Sequence, residues 1–290
     1  MNKGDPQGRF IDVERFLASH PYSPATRDTY RRVLREFLKL PDLAGMDSVG
    51  LVDFIQGRPG WGNSQQWVAL CACRKFLAWK YGVAHMALSA RIKRVKSRRQ
   101  RTLTAIHALD LLASFDPRTP KGCRDLAIAA LGLDTGLRCS ELCNLQMTAV
   151  DLSACMLQVI IKGGEWGIGV FSPETAQYIR EWIAVRHAAV GVGELFVSTR
   201  TGKGMTRCGL LCIVRKWGER IGVKLSPHDL RRTFATLTTI YGAPTRVVQA
   251  AGRWSDITMV EHYTQGLDPT AITPYLPVTR LQYPISGYKK

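Results

Sequence analysis

The stretch Ser226-Pro-His-Asp-Leu-Arg-Arg-Thr-Phe-Ala-Thr236 has the features of a helix start that carries chemistry. Ser226 is the expected N-cap and Pro227 a first-turn residue, so His228 falls in the opening turn. Arg231 follows three residues later on the same helical face. A helix start favours anions through its free N–H groups and its dipole. We predict a phosphate site with a guanidinium fork and a proton-transfer imidazole; a surface histidine beside a solvated arginine is the alternative.

A second arginine lies in the stretch Leu133-Asp-Thr-Gly-Leu-Arg-Cys-Ser-Glu-Leu142. Gly136 breaks the preceding apolar helix, which places Arg138 near the start of the next one. Glu141 follows three residues later and could pair with Arg138, fixing its orientation. A purely structural salt bridge is the alternative.

A lysine ends the first of two β-prone runs, residues 156–161 and 168–171, which flank a glycine-rich turn. Lys162 is the only lysine between Lys121 and Lys203. At a hairpin tip it could donate a proton to a departing oxygen. Otherwise it is a polar turn residue.

A tyrosine near the carboxyl end is a candidate nucleophile. Tyr263 lies nine residues after Trp254. A tyrosine can attack phosphorus and hold a covalent intermediate. Taken alone it is one of nine tyrosines, for which a role in the core is the simpler interpretation.

The composition is that of a folded protein with a large positive charge. The chain has 290 residues, 46% of them hydrophobic and 22% charged, which excludes a disordered or fibrous protein and indicates about two domains. Its 40 Lys and Arg against 23 Asp and Glu give a net charge of +17. An excess of this size indicates a polyanionic partner, with a solubilising basic surface as the alternative.

The sequence predicts a cytoplasmic protein without a membrane partner. No apolar run reaches the roughly 18 residues that span a bilayer, and the polar amino terminus does not have the pattern of a secretory signal. The eight cysteines should be reduced and mostly buried. Burial is also the interpretation of the two helically spaced pairs, Cys139 with Cys143 and Cys208 with Cys212, in preference to a metal site.

The amino-terminal part is predicted to be helical and basic. Ser23-Pro24 starts an amphipathic helix, and another helix covers 63–81 and ends at Gly82. A stripe of one charge sign on the first helix indicates DNA, with a solvated face as the alternative; its members are Arg27, Arg31, Arg35 and Lys39. A linker or DNA-contacting arm with almost nothing to bury follows, and contains Arg91, Lys93, Arg94, Lys96, Arg98, Arg99 and Arg101.

From Leu103 onward the pattern is again that of a globular domain. Helical periodicity is predicted over 110–115, 123–133, 140–147, 174–190, 206–221 and 227–240.

In their order and spacing the candidate residues resemble the functional positions of the tyrosine recombinases, the group of the phage integrases, Xer and Cre. These positions are Arg138, Lys162, His228, Arg231, Trp254 and Tyr263. The stretches Thr-Gly-Leu-Arg-x-Ser-Glu-Leu and His-Asp-Leu-Arg-Arg-Thr-Phe-Ala-Thr are close to that family's two arginine boxes. The likeness covers about residues 12 to 265, because Ser23, Thr26 and Tyr30 match the pattern of a core-binding domain.

The resemblance implies a mostly α fold with a small antiparallel β-sheet in the catalytic domain, arranged as a two-domain C-shaped clamp around duplex DNA. It implies a helical core-binding domain at 12–90, a basic linker at 91–102, a catalytic domain at 103–268 and a proline-containing tail at 269–290.

The implied activity is site-specific recombination through a 3′-phosphotyrosyl intermediate, without metal, ATP or any other cofactor. Tyr263 would attack the scissile phosphate. Arg138 and Arg231 would stabilise the charge on its non-bridging oxygens, and Lys162 would protonate the leaving 5′-oxygen.

Three further residues have supporting roles in this interpretation. His228 would take the tyrosine proton or bind the phosphate, Trp254 would donate its indole N–H or support the pocket, and Glu141 would orient the first arginine. Trp254 stands where most members have histidine, as it does in the Cre branch. The hairpin around Lys162 is glycine-rich, and the tail after Tyr263 looks less helical than the exchanged carboxyl-terminal helix of many members.

The implied partner is double-stranded DNA with paired recombination half-sites, bound by a homotetramer or by a heterotetramer with a related recombinase. A type IB topoisomerase and an inactive DNA-binding protein are the alternatives. The separate helical amino-terminal domain opposes the first, and six chemically competent positions oppose the second. Neither the DNA target nor the choice among integration, excision, dimer resolution and transposition follows from the sequence.

Overall fold

The computed structural model describes residues 6–95, 101–161 and 164–264 of the 290-residue chain. The chain divides into two compact units, residues 1–98 and 99–290. Helices dominate both units, and the sheet found in the described part has three antiparallel strands. The predicted class, mostly α with a small antiparallel sheet, is confirmed.

Among its described residues the first unit contains a short 3-10 helix, Met86–Ser89, and four α-helices: α1 (Pro6–Ala18), α2 (Pro24–Phe37), α3 (Ser48–Gln56) and α4 (Asn63–Tyr81). Ser23 caps α2 as predicted, since its Oγ accepts the Thr26 N–H at 3.3 Å. The predicted bounds of α4 are also confirmed, with Gly82 (φ +94°) ending it in a conformation that favours glycine. Apolar side chains from all four helices form one core.

The start of the basic stretch, residues 91–95, has more contacts with the first unit than the sequence predicts. Ile92 is 7% exposed and packs in the core of the first unit. The side chain of Asn63 donates to the carbonyl of Lys93 at 3.0 Å and accepts the N–H of Val95 at 2.9 Å. Residues 91–95 are therefore attached to the first unit, and the expectation that this stretch has almost nothing to bury is wrong there.

In the part of the second unit that the structure describes, eight further α-helices and a 3-10 helix at Met147–Ala149 surround a separate core. The α-helices are α5 (Ala105–Ala113), α6 (Pro120–Thr135), α7 (Cys139–Asn144), α8 (Pro173–Val185), α9 (Arg207–Arg220), α10 (Pro227–Ile240), α11 (Thr245–Ala251) and α12 (Thr258–Thr264). The predicted bounds of α10 are those observed. Helix α6 is central, because its side chains are buried along nearly its whole length and it packs against α8 and α10.

The sheet consists of β1 (Val150–Asp151), β2 (Met156–Ile160) and β3 (Trp166–Val170), in that spatial order. Leu157 of β2 pairs with Gly169 of β3, and Val159 pairs with Gly167. These four positions face the protein interior. Because both inward positions of β3 are glycines, space is left beneath that strand.

Several predicted helices have different bounds in the structure. Helix α6 starts at Pro120 rather than at residue 123, and α7 ends at Asn144 rather than at residue 147. The differences are larger in α5 and α8. Helix α5 starts earlier than the predicted 110–115, because Thr104 caps it by accepting the His107 N–H at 3.1 Å. Helix α8 ends at Val185 rather than continuing to 190. Arg186 leaves the helix and donates to backbone carbonyls of residues 192–195, so the chain turns back there.

The prediction that the cysteines are reduced is confirmed, but the prediction that they are mostly buried is wrong. All eight are free thiols, and three of the eight are buried. In α7, Cys143 is buried and Cys139 is half-buried. Cys208 and Cys212 of α9 are exposed. The buried face of α9 is formed by Leu210, Val214, Trp217 and Gly218, which places both thiols on the opposite side of the helix.

Candidate active site

Arg231 of α10 is a buried arginine that joins three distant stretches of sequence. It is 1% exposed. Its Nη1 donates to the carbonyl of Gly136, and its Nη2 donates to the carbonyl of Gly252 at 2.6 Å. Its guanidinium carbon lies 4.1 Å from the centre of the Trp254 ring. Helix α10, the turn before Arg138 and the loop after α11 therefore meet at this side chain.

Glycines allow this close approach. Gly136 ends α6 with φ +58°, and a Cβ there would lie 2.6 Å from the Phe234 ring. A Cβ at Gly252 would overlap the ring of Trp254. A larger residue at either position would displace the carbonyls that bind Arg231.

Trp254 is packed as a supporting residue. Its side chain is buried, at 7% exposure, and its ring stacks on Phe234 with the centroids 6.2 Å apart and the planes 16° from parallel. A tryptophan ring against a guanidinium stabilises the cation and restricts its plane. Of the two roles expected for Trp254, this geometry favours supporting the pocket.

Arg138 is the N-cap residue of α7 and is oriented by Glu141. The backbone N–H of Arg138 donates to Glu141 Oε2 at 2.8 Å, and Arg138 Nη1 donates to Oε1 at 2.6 Å. The side chain of Glu141 is 4% exposed and that of Arg138 is 35% exposed. The Glu141 carboxylate thus holds Arg138 by two hydrogen bonds, while the Arg138 guanidinium remains accessible to solvent.

His228 lies in the first turn of α10 and is exposed. Asp229 shapes this turn, since its Oδ2 accepts the Ser226 N–H at 2.9 Å and the Ser226 hydroxyl at 2.6 Å. Although part of the His228 side chain is exposed, the surrounding protein atoms reduce its hydration and so lower its pKa below the usual value, and the charges of Arg232 and Arg231 act in the same direction. The neutral imidazole, which can accept a proton, is thereby favoured.

Two residues of this region were missing from the sequence-based candidates. Asp229 is 1% exposed and also accepts Arg232 Nη1 at 2.8 Å; its spacing of three from Ser226 is a capping-box signal that could have identified it. Arg253, next to Trp254, donates to the carbonyl of Thr135 at 3.0 Å. No local pattern identifies Arg253, because its partners are distant in the chain.

Lys162 lies outside the described residues. Tyr263 lies in α12, one residue before the end of that helix, and α12 packs against α10 and α11. The structure therefore brings together Arg138, Glu141, Arg231 and Trp254. The charges of both arginines also act on His228.

The amino-terminal candidates differ in how far their charge is already neutralised. Arg31 binds Glu14 and Asp28, each at 2.7 Å, and Lys39 binds Glu36 at 2.7 Å. Arg27 is half-buried, whereas Arg35 is exposed. Of the four, Arg35 offers an exposed charge for which the described residues show no ion pair.

The candidate DNA-binding residues between Arg91 and Arg101 differ in their contacts and exposure. Arg91 Nη1 donates to the carbonyls of residues 88–90, and the Arg94 guanidinium lies 5.8 Å from the centre of the Trp67 ring. Lys93 is exposed. Arg101, in the second unit, lies 3.7 Å from Asp229. Three members lie outside the described residues: Lys96, Arg98 and Arg99.

Neither a metal site nor a membrane-spanning helix is found among the described residues. No group of three or more His, Cys, Asp or Glu side chains among them is arranged to hold a metal ion. No helix within those ranges is long and apolar enough for a membrane crossing.

A protein-family model described as the phage integrase family matches residues 89–268, well over half of the chain. Tyrosine recombinase XerC of Xylella fastidiosa (strain 9a5c) is 28% identical over 268 residues, which cover 88% of this chain and 89% of the relative. Tyrosine recombinase XerD of Ralstonia nicotianae is 35% identical over 172 residues, or 57% of this chain and 55% of the relative.

Solved structures show the same fold. The XerH site-specific recombinase bound to palindromic difH substrate has a TM-score of 0.73 at 16% identity, covering 90% of this chain and 93% of that one. A lambda integrase dimer bound to a COC′ core site has a TM-score of 0.71 at 16% identity, covering 90% of this chain and 96% of that one.

Proposed function

Since this chain belongs to the phage integrase family of tyrosine recombinases, we propose that it cleaves DNA with Tyr263 and holds the reacting phosphate with Arg138 and Arg231. The chain is a site-specific recombinase that cleaves and rejoins DNA. One observation carries the residue assignment. The Arg231 guanidinium donates to the carbonyl of Gly136, which lies two residues before Arg138. The same short segment of backbone therefore carries Arg138 and binds the side chain of Arg231.

The proposed reaction conserves phosphodiester bonds. The phenol oxygen of Tyr263 attacks the phosphorus, the bond from phosphorus to the 5′-oxygen breaks, and a 3′-phosphotyrosyl link and a free 5′-hydroxyl result. Arg138 and Arg231 stabilise the negative charge that develops on the non-bridging oxygens. A 5′-hydroxyl of the exchanged strand then attacks the phosphotyrosine and releases Tyr263. Because the link stores the bond energy, no nucleotide cofactor is consumed.

Two proton transfers accompany cleavage in this proposal. His228 accepts the proton of Tyr263, a role supported by its lowered pKa, which keeps the imidazole neutral at pH 7. Lys162 donates a proton to the leaving 5′-oxygen, because an alkoxide departs poorly unless it is protonated. Trp254 and Glu141 orient the two arginines.

The proposed substrate is duplex DNA with two inverted half-sites, bound by four recombinase subunits that are all this chain or include a related one. The palindromic substrate of XerH and the core site that holds a lambda integrase dimer support this arrangement. Exposed basic side chains such as Arg35 and Lys93 would bind backbone phosphates. Since the substrate is DNA, the proposed place of action is the cytoplasm.

The first experiment identifies a substrate. The purified full-length chain is used to select bound duplexes from a random library, and two inverted repeats around a short spacer are expected. This selected duplex is then nicked close to the cleavage position, so that cleavage releases a short strand and the covalent adduct accumulates.

The second experiment tests the nucleophile on the selected duplex. The wild-type chain and Tyr241→Phe, an exposed tyrosine at the end of α10, should form the adduct. Tyr263→Phe should bind DNA with nearly unchanged affinity and form none. An adduct with Tyr263→Phe would remove Tyr263 as the nucleophile. Joined products from two different duplexes distinguish strand exchange from simple relaxation of supercoils.

A further inference from the structure

Arg253 occupies an unusual position between two residues of the candidate site. It lies between Gly252, whose carbonyl binds Arg231, and Trp254, whose ring packs on the same guanidinium. Its backbone has φ +57°, a conformation that residues with a Cβ seldom adopt. Its side chain is 4% exposed.

The guanidinium of Arg253 connects four parts of the second unit. Its Nη1 donates to the Ala251 carbonyl at 2.8 Å and to the Ile168 carbonyl at 3.1 Å. Its Nη2 donates to the carbonyl of Thr135 at 3.0 Å and lies 3.8 Å from Glu141 Oε2. One side chain therefore links the end of α11, strand β3, the end of α6 and the Glu141 carboxylate that holds Arg138.

Strand β3 leaves room for this side chain by having Gly167 on its inner face. A Cβ at Gly167 would lie 2.7 Å from Arg253 Cδ, whereas a Cβ at Gly169 would lie 2.8 Å from Leu157 and 3.6 Å from Arg253 Nη1, which is an ordinary contact. Both glycines are buried. Glycine in a strand weakens it and often marks the close approach of another group, which here is the stem of Arg253.

The arrangement is unfavourable for the cation itself. Burial lowers the pKa of Arg253, the carboxylate of Glu141 opposes this effect, and the positive charge of Arg138 adds to it. Within the described residues, the buried Nε of Arg253 has no hydrogen-bond partner. A buried arginine near another arginine contributes little to stability on these grounds, so its contacts point to another role.

We propose that Arg253 is a positioning residue, which sets the distance and orientation of Arg138 and Arg231 relative to each other. This inference rests on the proposed function. On the side of Arg138, Arg253 contacts Glu141, which holds Arg138, and Thr135, which lies three residues before Arg138. On the side of Arg231, its two chain neighbours, Gly252 and Trp254, both contact the Arg231 guanidinium. A planar guanidinium can bind these carbonyls at once, which a lysine ammonium cannot do in the same geometry.

The test is a set of double-mutant cycles on single-turnover cleavage of the selected duplex. Arg253→Lys should slow cleavage about 100-fold, as expected when reacting groups are misplaced by about 1 Å. In a chain that already has Arg138→Lys or Arg231→Lys, adding Arg253→Lys should slow cleavage much less, because the arginine that Arg253 positions has already been replaced. DNA affinity should change little.

The matched control is Arg186→Lys. Arg186 also donates to three backbone carbonyls in the second unit, but those lie in residues 192–195 rather than beside either proposed phosphate-binding arginine. Arg186→Lys should alter the unfolding midpoint while its effect on cleavage, if any, is equal in all backgrounds. The proposal is overturned if Arg253→Lys cleaves at the wild-type rate, or if its effect is the same in all three backgrounds.

A second variant covers the case in which Arg253→Lys does not fold. Gly167→Ala keeps the guanidinium but pushes its stem, and should give the same dependence on background. Val170→Ala, on the exposed face of β3, is its control. Failure of the proposed function is a separate result: Arg138→Lys and Arg231→Lys would then cleave as fast as the wild-type chain.

Discussion

The guanidinium carbon of Arg231 lies 4.1 Å from the centre of the Trp254 ring, and both side chains are buried. A guanidinium that donates to two backbone carbonyls and lies against an aromatic ring has little freedom to rotate. Preorganisation of this kind is what stabilises a developing charge without reorganisation during the reaction. On the proposed mechanism, we expect Trp254 to act on the chemistry through Arg231.

Two substitutions of Trp254 distinguish the contribution of its ring packing from that of its indole N–H. Trp254→Phe should keep most of the cleavage rate, whereas Trp254→Ala should lower the free energy of unfolding by about 3–5 kcal/mol and slow cleavage about 100-fold. Denaturant unfolding and single-turnover cleavage measure the two effects. Trp182→Phe, at a buried tryptophan of the other hydrophobic cluster of the second unit, is the control for destabilisation that does not involve Arg231. If Trp254→Phe were as slow as Trp254→Ala, the indole N–H would be essential.

Removing the charge of Glu141 should affect stability and cleavage together. Glu141→Gln leaves Arg253 buried near a neutral amide and loosens Arg138, so we expect a loss of about 3 kcal/mol in the free energy of unfolding. Cleavage should slow while DNA affinity is largely kept. Glu219→Gln, at an exposed position of α9, should change neither quantity. Full cleavage activity of Glu141→Gln would show that Arg138 needs no orienting carboxylate.

The lowered pKa of His228 gives cleavage a predictable pH dependence. Its usual value is 6.5, so in the folded chain the imidazole stays neutral at pH 7 and becomes protonated only below 6.5. The cleavage rate at low DNA concentration depends on the protonation state of the free protein. It should therefore decrease as the pH is lowered, with a midpoint below pH 6.5. His228→Gln should be slower and lack this decline, whereas the exposed His187→Gln should retain it. An identical profile for His228→Gln would exclude this histidine as the base.

The same group also affects stability, and the sign follows from linkage. Because protonation of His228 is easier in the unfolded chain, its contribution to stability is fully present above pH 6.5 and is lost as the pH falls through the lowered pKa. Wild-type unfolding free energy should accordingly decrease more steeply below pH 6.5 than that of His228→Gln.

A sulfur substitution tests Lys162 as the general acid. Lys162→Ala should cleave normal DNA slowly, and this defect should largely disappear when sulfur replaces the bridging 5′-oxygen, since a thiolate leaves without protonation. An Arg231→Ala defect should persist on the sulfur substrate. Lys203→Ala, at an exposed lysine, should cleave both substrates at the wild-type rate. Without rescue by sulfur, Lys162 would be a phosphate-binding or positioning residue.

Salt dependence tests the basic stripe on α2. Arg35→Gln should make the slope of log K against log salt shallower by about 0.9, the value for one lost phosphate contact on B-DNA. Arg31→Gln should change the slope less, because Glu14 and Asp28 already neutralise that side chain. Equal slopes for Arg35→Gln and the wild-type chain would mean that Arg35 only faces solvent.

Local chemistry made several features predictable from the sequence. The N-caps Ser23 and Ser226 start α2 and α10 where expected, because capping joins groups three residues apart. The Ser23 hydroxyl accepts the Thr26 N–H, whereas the N–H and hydroxyl of Ser226 donate to the Asp229 carboxylate. Gly136 and Gly82 end helices for an equally local reason. The family followed from the order and spacing of residues around Arg138, Arg231 and Tyr263.

Other features depended on contacts between distant residues. The exposure of Cys208 and Cys212, the early end of α8 at Arg186 and the burial of Ile92 each reflect which neighbour packs against an element. Periodicity alone does not contain that information.

The sequence by itself determined that this chain is a helical recombinase whose arginines lie at two helix starts. Only the tertiary structure decided how those arginines are held. Arg253 has no sequence pattern of its own, because its partners lie in α6, β3 and α7 and come together only when these elements pack. A buried guanidinium must find its hydrogen-bond acceptors within reach in space, whatever their separation along the chain.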